Sequence, residues 1–316
     1  MRTEQAQQMI LRFFAEMLDP PRLSARHRWG WGLLFALGGC DHTRQRISSV
    51  EIYNPPTKTW EATQPMETAR YGLCSAALDG KVYVAGGQDD QEERCRSVER
   101  FDPIKNEWEK IAPMSTARYA CSAAVLDGKL YIAGGYDGTR LSSVERYDPS
   151  TNAWEAVAPL RTRRAANGAA VVGGRLYVAG GFDGNLRLNS VERYDSSTNS
   201  WEEVMPMSRN RCAHAVASLD GKLYAAGGID ENQSLSSVER FDPATNAWEE
   251  VAPMSTARKW CSATVLDGKL YVGGGENHAD TLSSIERYDP STDSWEELAP
   301  MSTARCGLAL SFCGDG

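Results

Sequence analysis

The sequence predicts an all-β fold, a six-bladed β-propeller with four antiparallel strands in each blade, and two observations carry this prediction. Glycine pairs recur along the 316 residues at 38–39, 86–87, 134–135, 180–181, 227–228 and 274–275. A tryptophan follows each pair after 19 to 21 residues, at positions 60, 108, 154, 201, 248 and 295. A period of 46 to 48 residues that occurs six times is typical of a repeat architecture.

Each repeat divides into four short strands separated by turn residues. In the unit 118–160, the first segment, CSAAVL, ends at the hairpin dipeptide Asp127-Gly128, and the second, KLYIA, ends at the glycine pair. Pro149 stops the third segment, SSVERYD, and Pro159 stops the fourth, WEAVA. A four-stranded sheet of this size is not stable alone, so radial packing of the repeats is expected. The first segment carries small side chains and should lie innermost, where the blades crowd around the axis.

The two ends of the chain are expected to share a blade. Residues 306–314 repeat a first strand and should complete the blade that begins near residue 33, which hides two open sheet edges. We divide the chain into an N-terminal helical segment or linker, 1–28, and a propeller, 29–316. The repeats span about 33–70, 71–118, 119–164, 165–211, 212–258 and 259–305. The segment 1–28 fits the tail of a helical domain or a helix that docks on the propeller.

Charge and hydropathy exclude several classes of protein. The net charge of −8 and the pI near 5.2 disfavour a nucleic-acid partner. No apolar run approaches the roughly 18 residues of a membrane span, and the N-terminus lacks the pattern of a signal peptide. We therefore expect no membrane partner and a cytoplasmic or nuclear location.

Residues that support catalysis or metal binding are sparse. The four histidines, His27, His42, His214 and His278, fall at unrelated positions, and the eight cysteines form no CxxC motif. We expect no metal, no cofactor and no enzymatic activity; the alternative is a sugar-processing or oxidase enzyme on a propeller. Cys95 lies between two arginines, whose charge lowers a thiol pKa, and is the candidate for redox chemistry.

The glycine pair, the SVERYDP strand, the tryptophan and the PM-x-x-x-Arg ending resemble kelch repeats. Over about 30–316 the chain is most similar to the propeller of the kelch-like substrate adaptors, which carry BTB and BACK domains ahead of it. The resemblance implies a protein-interaction module, in that family often a substrate-recognition part of a cullin-type ubiquitin ligase. Ligase components would be reached through a missing or separate BTB domain. The alternative is an actin-associated or cytoskeletal kelch scaffold.

The topology predicts which face binds the partner. The loops after the glycine pairs and the links between blades should share one face, opposite the Asp-Gly turns. These loops differ between blades, whereas the turns are nearly alike, so we expect recognition on the loop face.

The candidate partner-binding residues include one arginine per blade at this mouth, whose regularity also fits a structural role. The resemblance implies that some residues at this position, at the next and after the glycine pair hold ligand. Trp260 joins them because the other repeats have Gly or Ala there. The candidates are Arg70, Tyr71, Arg118, Tyr119, Tyr136, Arg164, Phe182, Arg211, Arg258, Lys259, Trp260 and Arg305. Arginine suits carboxylates, so an acidic peptide or protein is the expected ligand. The Glu-Arg pairs of the third strands are expected to form ion pairs.

Overall fold

A computed structural model describes residues 32–314, and the segment 1–28 lies outside the described residues. These residues form 24 strands in six antiparallel four-stranded sheets, which confirms the predicted six-bladed propeller. Within the described range, no helix is long and apolar enough to cross a membrane.

The innermost strands surround the central channel and consist mostly of small side chains. They are β4 (Cys74–Leu78), β8 (Ser122–Leu126), β12 (Gly168–Val172), β16 (Ala215–Leu219), β20 (Ser262–Leu266) and β24 (Ala309–Cys313). In β8, β12 and β16, buried residues alternate with partly exposed ones. This period of two follows from the pleat of the strand, since successive side chains point to opposite faces of the sheet, one packed against an adjacent blade and the other open to the channel.

The second strands are buried on both sides of the sheet. They are β1 (Leu33–Leu37), β5 (Lys81–Ala85), β9 (Lys129–Ala133), β13 (Arg175–Ala179), β17 (Lys222–Ala226) and β21 (Lys269–Gly273). Adjacent blades cover both faces, which explains why these strands are nearly continuous apolar runs.

The outer half of each blade is more polar. The third strands are β2 (Val50–Asn54), β6 (Val98–Asp102), β10 (Val144–Asp148), β14 (Val191–Asp195), β18 (Val238–Asp242) and β22 (Ile285–Asp289). The fourth strands are β3 (Thr59–Thr63), β7 (Glu107–Ile111), β11 (Ala153–Val157), β15 (Ser200–Val204), β19 (Ala247–Val251) and β23 (Ser294–Leu298). The fourth strands are largely exposed and form the rim of the propeller.

Tryptophan side chains tie each blade to the one before it. The indole N–H of Trp154, for example, donates to the carbonyl oxygen of Ala112 at 2.7 Å, and its ring packs against Tyr147 at 5.2 Å between centroids. The equivalent indole bonds start from Trp60, Trp108, Trp201, Trp248 and Trp295. The repeated tryptophan is therefore an inter-blade contact.

The ring closes as the sequence predicts. Strand β24 pairs antiparallel with β1, with Leu33 opposite Cys313 and Leu37 opposite Ala309. The first blade thus combines its innermost strand from the C-terminal end with three strands from the N-terminal part.

Candidate partner-binding face

The glycine pairs bring the loops of each blade against the links between blades. In the third blade, Gly134 has φ +64°, and a Cβ there would lie 2.5 Å from the carbonyl oxygen of Arg164. Only glycine allows this approach. The residue after each pair then forms a β-bridge with the residue after the mouth arginine. The bridges are Cys40–Cys306, Gln88–Tyr71, Tyr136–Tyr119, Phe182–Ala165, Ile229–Cys212 and Glu276–Lys259. Loops and links therefore share one face, as expected.

The six mouth arginines do not reach this face. Each is 0% exposed and forms an ion pair with a third-strand glutamate at 2.6–2.8 Å. The pairs are Arg70–Glu99, Arg118–Glu145, Arg164–Glu192, Arg211–Glu239, Arg258–Glu286 and Arg305–Glu51.

Backbone carbonyl oxygens also accept hydrogen bonds from Nη1 of each guanidinium. Arg164 Nη1 donates to the carbonyl oxygens of Gly180 at 2.8 Å and Ser190 at 3.1 Å. Glu192 in turn accepts the N–H groups of Arg161 at 2.7 Å and Thr162 at 3.1 Å. The expectation that Arg70, Arg118, Arg164, Arg211, Arg258 and Arg305 hold a ligand is corrected here. Their Nη1 and Nη2 groups donate to acceptors inside the propeller, so these arginines join the link between blades to the next blade.

A second set of arginines, which the sequence analysis missed, lies partly exposed on the loop face. Each forms a β-bridge with the residue after its own glycine pair. The set is Arg46, Arg94, Arg140 and Arg187, and the fifth and sixth blades have Ser234 and Thr281 at this position. The sequence signal was an arginine present in four of six repeats, always three residues before the Ser that precedes the third strand.

Two of these arginines form a continuous row with aromatic side chains. The guanidinium of Arg140 lies 4.8 Å from the ring centroid of Tyr136 and 4.9 Å from that of Phe182. Arg94 lies 5.3 Å from the centroid of the same Tyr136 ring, which also forms a T-shaped pair with Tyr119 at 5.7 Å between centroids. We call Arg94, Tyr136, Arg140 and Phe182 the arginine–aromatic row.

The row carries positive charge without a carboxylate to balance it among residues 32–314. No described acidic group lies within 4.0 Å of the guanidinium nitrogens of Arg94 or Arg140. The guanidinium groups of Arg94 and Arg140 both pack on the Tyr136 ring, so two like charges lie near each other. Cation–π contacts fix the orientation of a guanidinium while its outer N–H groups stay free for an anion. This part of the face is therefore suited to a carboxylate.

The opposite side of the mouth is already internally paired. Glu276 accepts Nη1 of Arg44 at 2.6 Å and lies 3.4 Å from Nζ of Lys259. The predicted site residue Lys259 is partly exposed, but its charge is engaged by this glutamate.

Trp260 lies at the channel mouth in a closed ring of backbone hydrogen bonds. Its N–H donates to the carbonyl oxygen of Ala213 at 2.7 Å, and its carbonyl oxygen accepts the N–H of Gly307 at 2.8 Å. The same bond links the equivalent residues all around the axis, each with φ between +53° and +63°. They are Gly72, Ala120, Ala166, Ala213, Trp260 and Gly307. The indole is partly exposed and packs against Tyr71 at 5.3 Å, across Gly307 of the first blade.

Below the mouth, the channel encloses a cavity of about 510 Å³ lined by the innermost strands. His214 lies in its wall and is buried, and this burial, with Arg211 and Arg164 nearby, lowers its pKa to about 3. The imidazole is therefore neutral at physiological pH. No group of three or more potential metal ligands occurs within 32–314.

Comparisons with known proteins agree with this architecture. The family model for the KLHDC2/KLHL20/DRC7 kelch-repeats domain matches residues 21–167 and 159–314. A solved structure described as "Structure of YjhT" is similar in fold, with a TM-score of 0.71 at 16% identity, covering 83% of this chain and 96% of that chain. No curated protein matches. Since the family model covers most of its length, the chain belongs to the KLHDC2/KLHL20/DRC7 kelch-repeat family.

Proposed function

We propose that this propeller is a protein-interaction module that binds an acidic segment of a partner protein on the arginine–aromatic row. The carrying observation is that Arg94 and Arg140 flank one tyrosine ring with no described carboxylate at either guanidinium. A bound carboxylate would relieve the repulsion between these two charges and accept their N–H groups in pairs.

The layout of the row favours an extended ligand over a small anion. Its residues belong to the second, third and fourth blades, and Arg187 continues the line in the fourth. Tyrosine, phenylalanine and arginine supply apolar contact and directed hydrogen bonds together, a combination that is typical of binding hot spots. Family membership supports protein recognition as the general function.

The proposed binding surface fits two cellular roles, a substrate adaptor and a cytoskeletal scaffold. In a substrate adaptor, the bound segment belongs to a protein that is brought to a cullin-type ligase through a separate BTB-containing subunit. In a cytoskeletal scaffold, it belongs to actin or an actin-bound protein. Reconstitution with BTB–cullin components and co-sedimentation with filamentous actin distinguish these roles. A cytoplasmic or nuclear location stays a prediction.

Fluorescence anisotropy with labelled peptide pools tests the proposal. One pool is rich in Asp and Glu, and its control carries Asn and Gln at the same positions. We expect the acidic pool to bind more tightly and its affinity to fall as salt rises. Arg140→Gln should weaken binding about tenfold, since a desolvated charged contact of this kind is worth more than about 1.4 kcal/mol.

Arg175→Gln is the matched control. Arg175 lies at the start of β13, beside the turn on the opposite face, and is paired with Asp195 at 2.9 Å. It should leave binding unchanged. Equal binding of the two pools, or equal effects of the two variants, would refute the row as the site.

A further inference from the structure

Two thiols meet where the chain closes its ring. Cys40 Sγ and Cys306 Sγ are 3.1 Å apart, although the residues are separated by 266 positions. Cys40 follows the glycine pair after β1, and Cys306 precedes β24, the strand that completes the first blade. Both residues are reduced in this structure.

The backbone already holds this pair at a spacing that suits a disulfide. The N–H of Cys40 donates to the carbonyl oxygen of Cys306 at 2.8 Å, and the N–H of Cys306 returns a bond to Cys40 at 2.9 Å. Such a hydrogen-bonded antiparallel pair has its Cα atoms about 5.5 Å apart. Disulfides span Cα separations of about 4.4–6.8 Å, so only the side chains need to move, by about 1 Å at the sulfurs.

We propose that Cys40 and Cys306 are an oxidation site, and that their disulfide covalently closes the propeller ring. The bond would join the N-terminal part of the first blade to the C-terminal segment. Without it, this junction is held by non-covalent contacts alone, among them the pairing of β24 with β1, the backbone bonds between Cys40 and Cys306 and the Arg305–Glu51 ion pair.

The surroundings favour the first step of this chemistry. The hydrogen bond with Cys306 and the nearby guanidinium of Arg44 lower the pKa of Cys40, outweighing its burial. Arg44 Nη1 lies 3.8 Å from Cys306 Sγ, and its side chain is 64% exposed on a surface loop. The pair therefore lies beside an exposed side chain at the surface, and the lowered pKa makes Cys40 the expected nucleophile.

The reaction balances with a peroxide as oxidant. The Cys40 thiolate attacks one peroxide oxygen, which gives a sulfenic acid at Cys40 and, after protonation, one water. The Cys306 sulfur then attacks the sulfenic sulfur, the S–S bond forms and a second water leaves. Two electrons pass from the two sulfurs to the peroxide, and a dithiol reductant reverses the bond by exchange.

A second thiol pair provides an internal control. Cys74 Sγ and Cys121 Sγ are 3.3 Å apart, but the two residues belong to adjacent blades and, unlike Cys40 and Cys306, are not joined by reciprocal backbone hydrogen bonds. In both pairs the shared hydrogen bond lowers the pKa of one thiol, Cys40 or Cys121, and raises that of the other, so the pairs differ in backbone geometry and not in acidity. Burial raises the pKa of Cys95, the candidate that the sequence suggested, in spite of the nearby Arg70 charge.

Titration of the folded chain with hydrogen peroxide tests the proposal. We expect loss of two thiols, a Cys40–Cys306 cross-linked peptide in mass spectrometry, and faster migration on a non-reducing denaturing gel. The gel shift arises because the bond closes a loop of most of the chain. The melting temperature should rise by about 5–10 °C, and dithiothreitol should reverse every change.

Matched serine variants assign the bond. Cys40→Ser and Cys306→Ser should each abolish the cross-link and the fast band, while Cys74→Ser should keep both. Peptide mapping of the unsubstituted chain identifies the cross-linked cysteines even if a serine variant folds poorly. Eight retained thiols, a Cys74–Cys121 cross-link instead, or cross-linking only between molecules would overturn the proposal.

Discussion

One pair of substitutions tests whether the buried arginines stabilise the folded propeller. Arg164→Met removes a guanidinium that is 0% exposed and leaves Glu192, also 0% exposed, without its 2.6 Å partner. The carboxylate keeps only the N–H groups of Arg161 and Thr162. Breaking a buried ion pair by removing one partner costs about 3–5 kcal/mol, because the remaining charge stays desolvated. For a domain of this size, this lowers the melting temperature by roughly 6–10 °C.

Thermal and guanidinium unfolding of Arg164→Met, Glu192→Gln and the double variant measures this cost. The double variant should recover more than about 1 kcal/mol of the summed losses, since it leaves no unpaired buried charge. Peptide binding, measured well below the melting temperature, should stay within about twofold of the unmodified chain. An Arg164→Met variant that melts normally and loses its ligand would refute the reasoning and return Arg164 to the binding face.

Two further predictions use substitutions that the repeats themselves supply. The pKa of His214 is about 3 in the folded state and about 6.5 in the unfolded state, so between these pH values only the unfolded state binds the extra proton. The free energy of unfolding should therefore fall by up to about 1.4 kcal/mol per pH unit as the pH drops from about 6.5 to about 3. His214→Asn, which copies Asn167 of the preceding blade, should flatten this dependence in pH-resolved melts, and an unchanged slope would exclude His214 as its source. Trp260→Ala copies Ala213, which has a similar positive φ, so the melting temperature should hold. Trp260 lies across the channel mouth from the row, so a ligand that extends from the row over the mouth should bind at least about fivefold more weakly by anisotropy. Normal binding with a much lower melting temperature would make Trp260 a packing residue.

The fold could be predicted from sequence because its signal is repeated in every blade. The glycine pairs, turn dipeptides and tryptophans each report a local constraint, and six copies leave little ambiguity. The arginines were misplaced because a sequence shows spacing but not the direction of a side chain. The equivalents of Arg164 and Glu192 occur in every repeat, and two opposite charges that recur with the same period can form an ion pair in every blade. The arginine–aromatic row depends on loop conformations that bring Arg94 to Tyr136 of the next blade, which no local pattern encodes.

The structure also explains why the differences between blades collect on one face. On the opposite face, the turn residues are fixed by contacts across blades. Asn199, for example, has φ +48°, and its side-chain oxygen accepts the N–H of Ala158 at 2.9 Å and the hydroxyl of Tyr194 at 2.8 Å. A change there disturbs two blades at once. On the loop face, a bridge such as Tyr136–Arg140 fixes only the ends of the loop, so the residues between can vary at little cost in stability. A symmetric scaffold can therefore acquire an asymmetric recognition surface where its loops vary without disturbing the backbone pairing that holds the blades together, and the row lies on these loops.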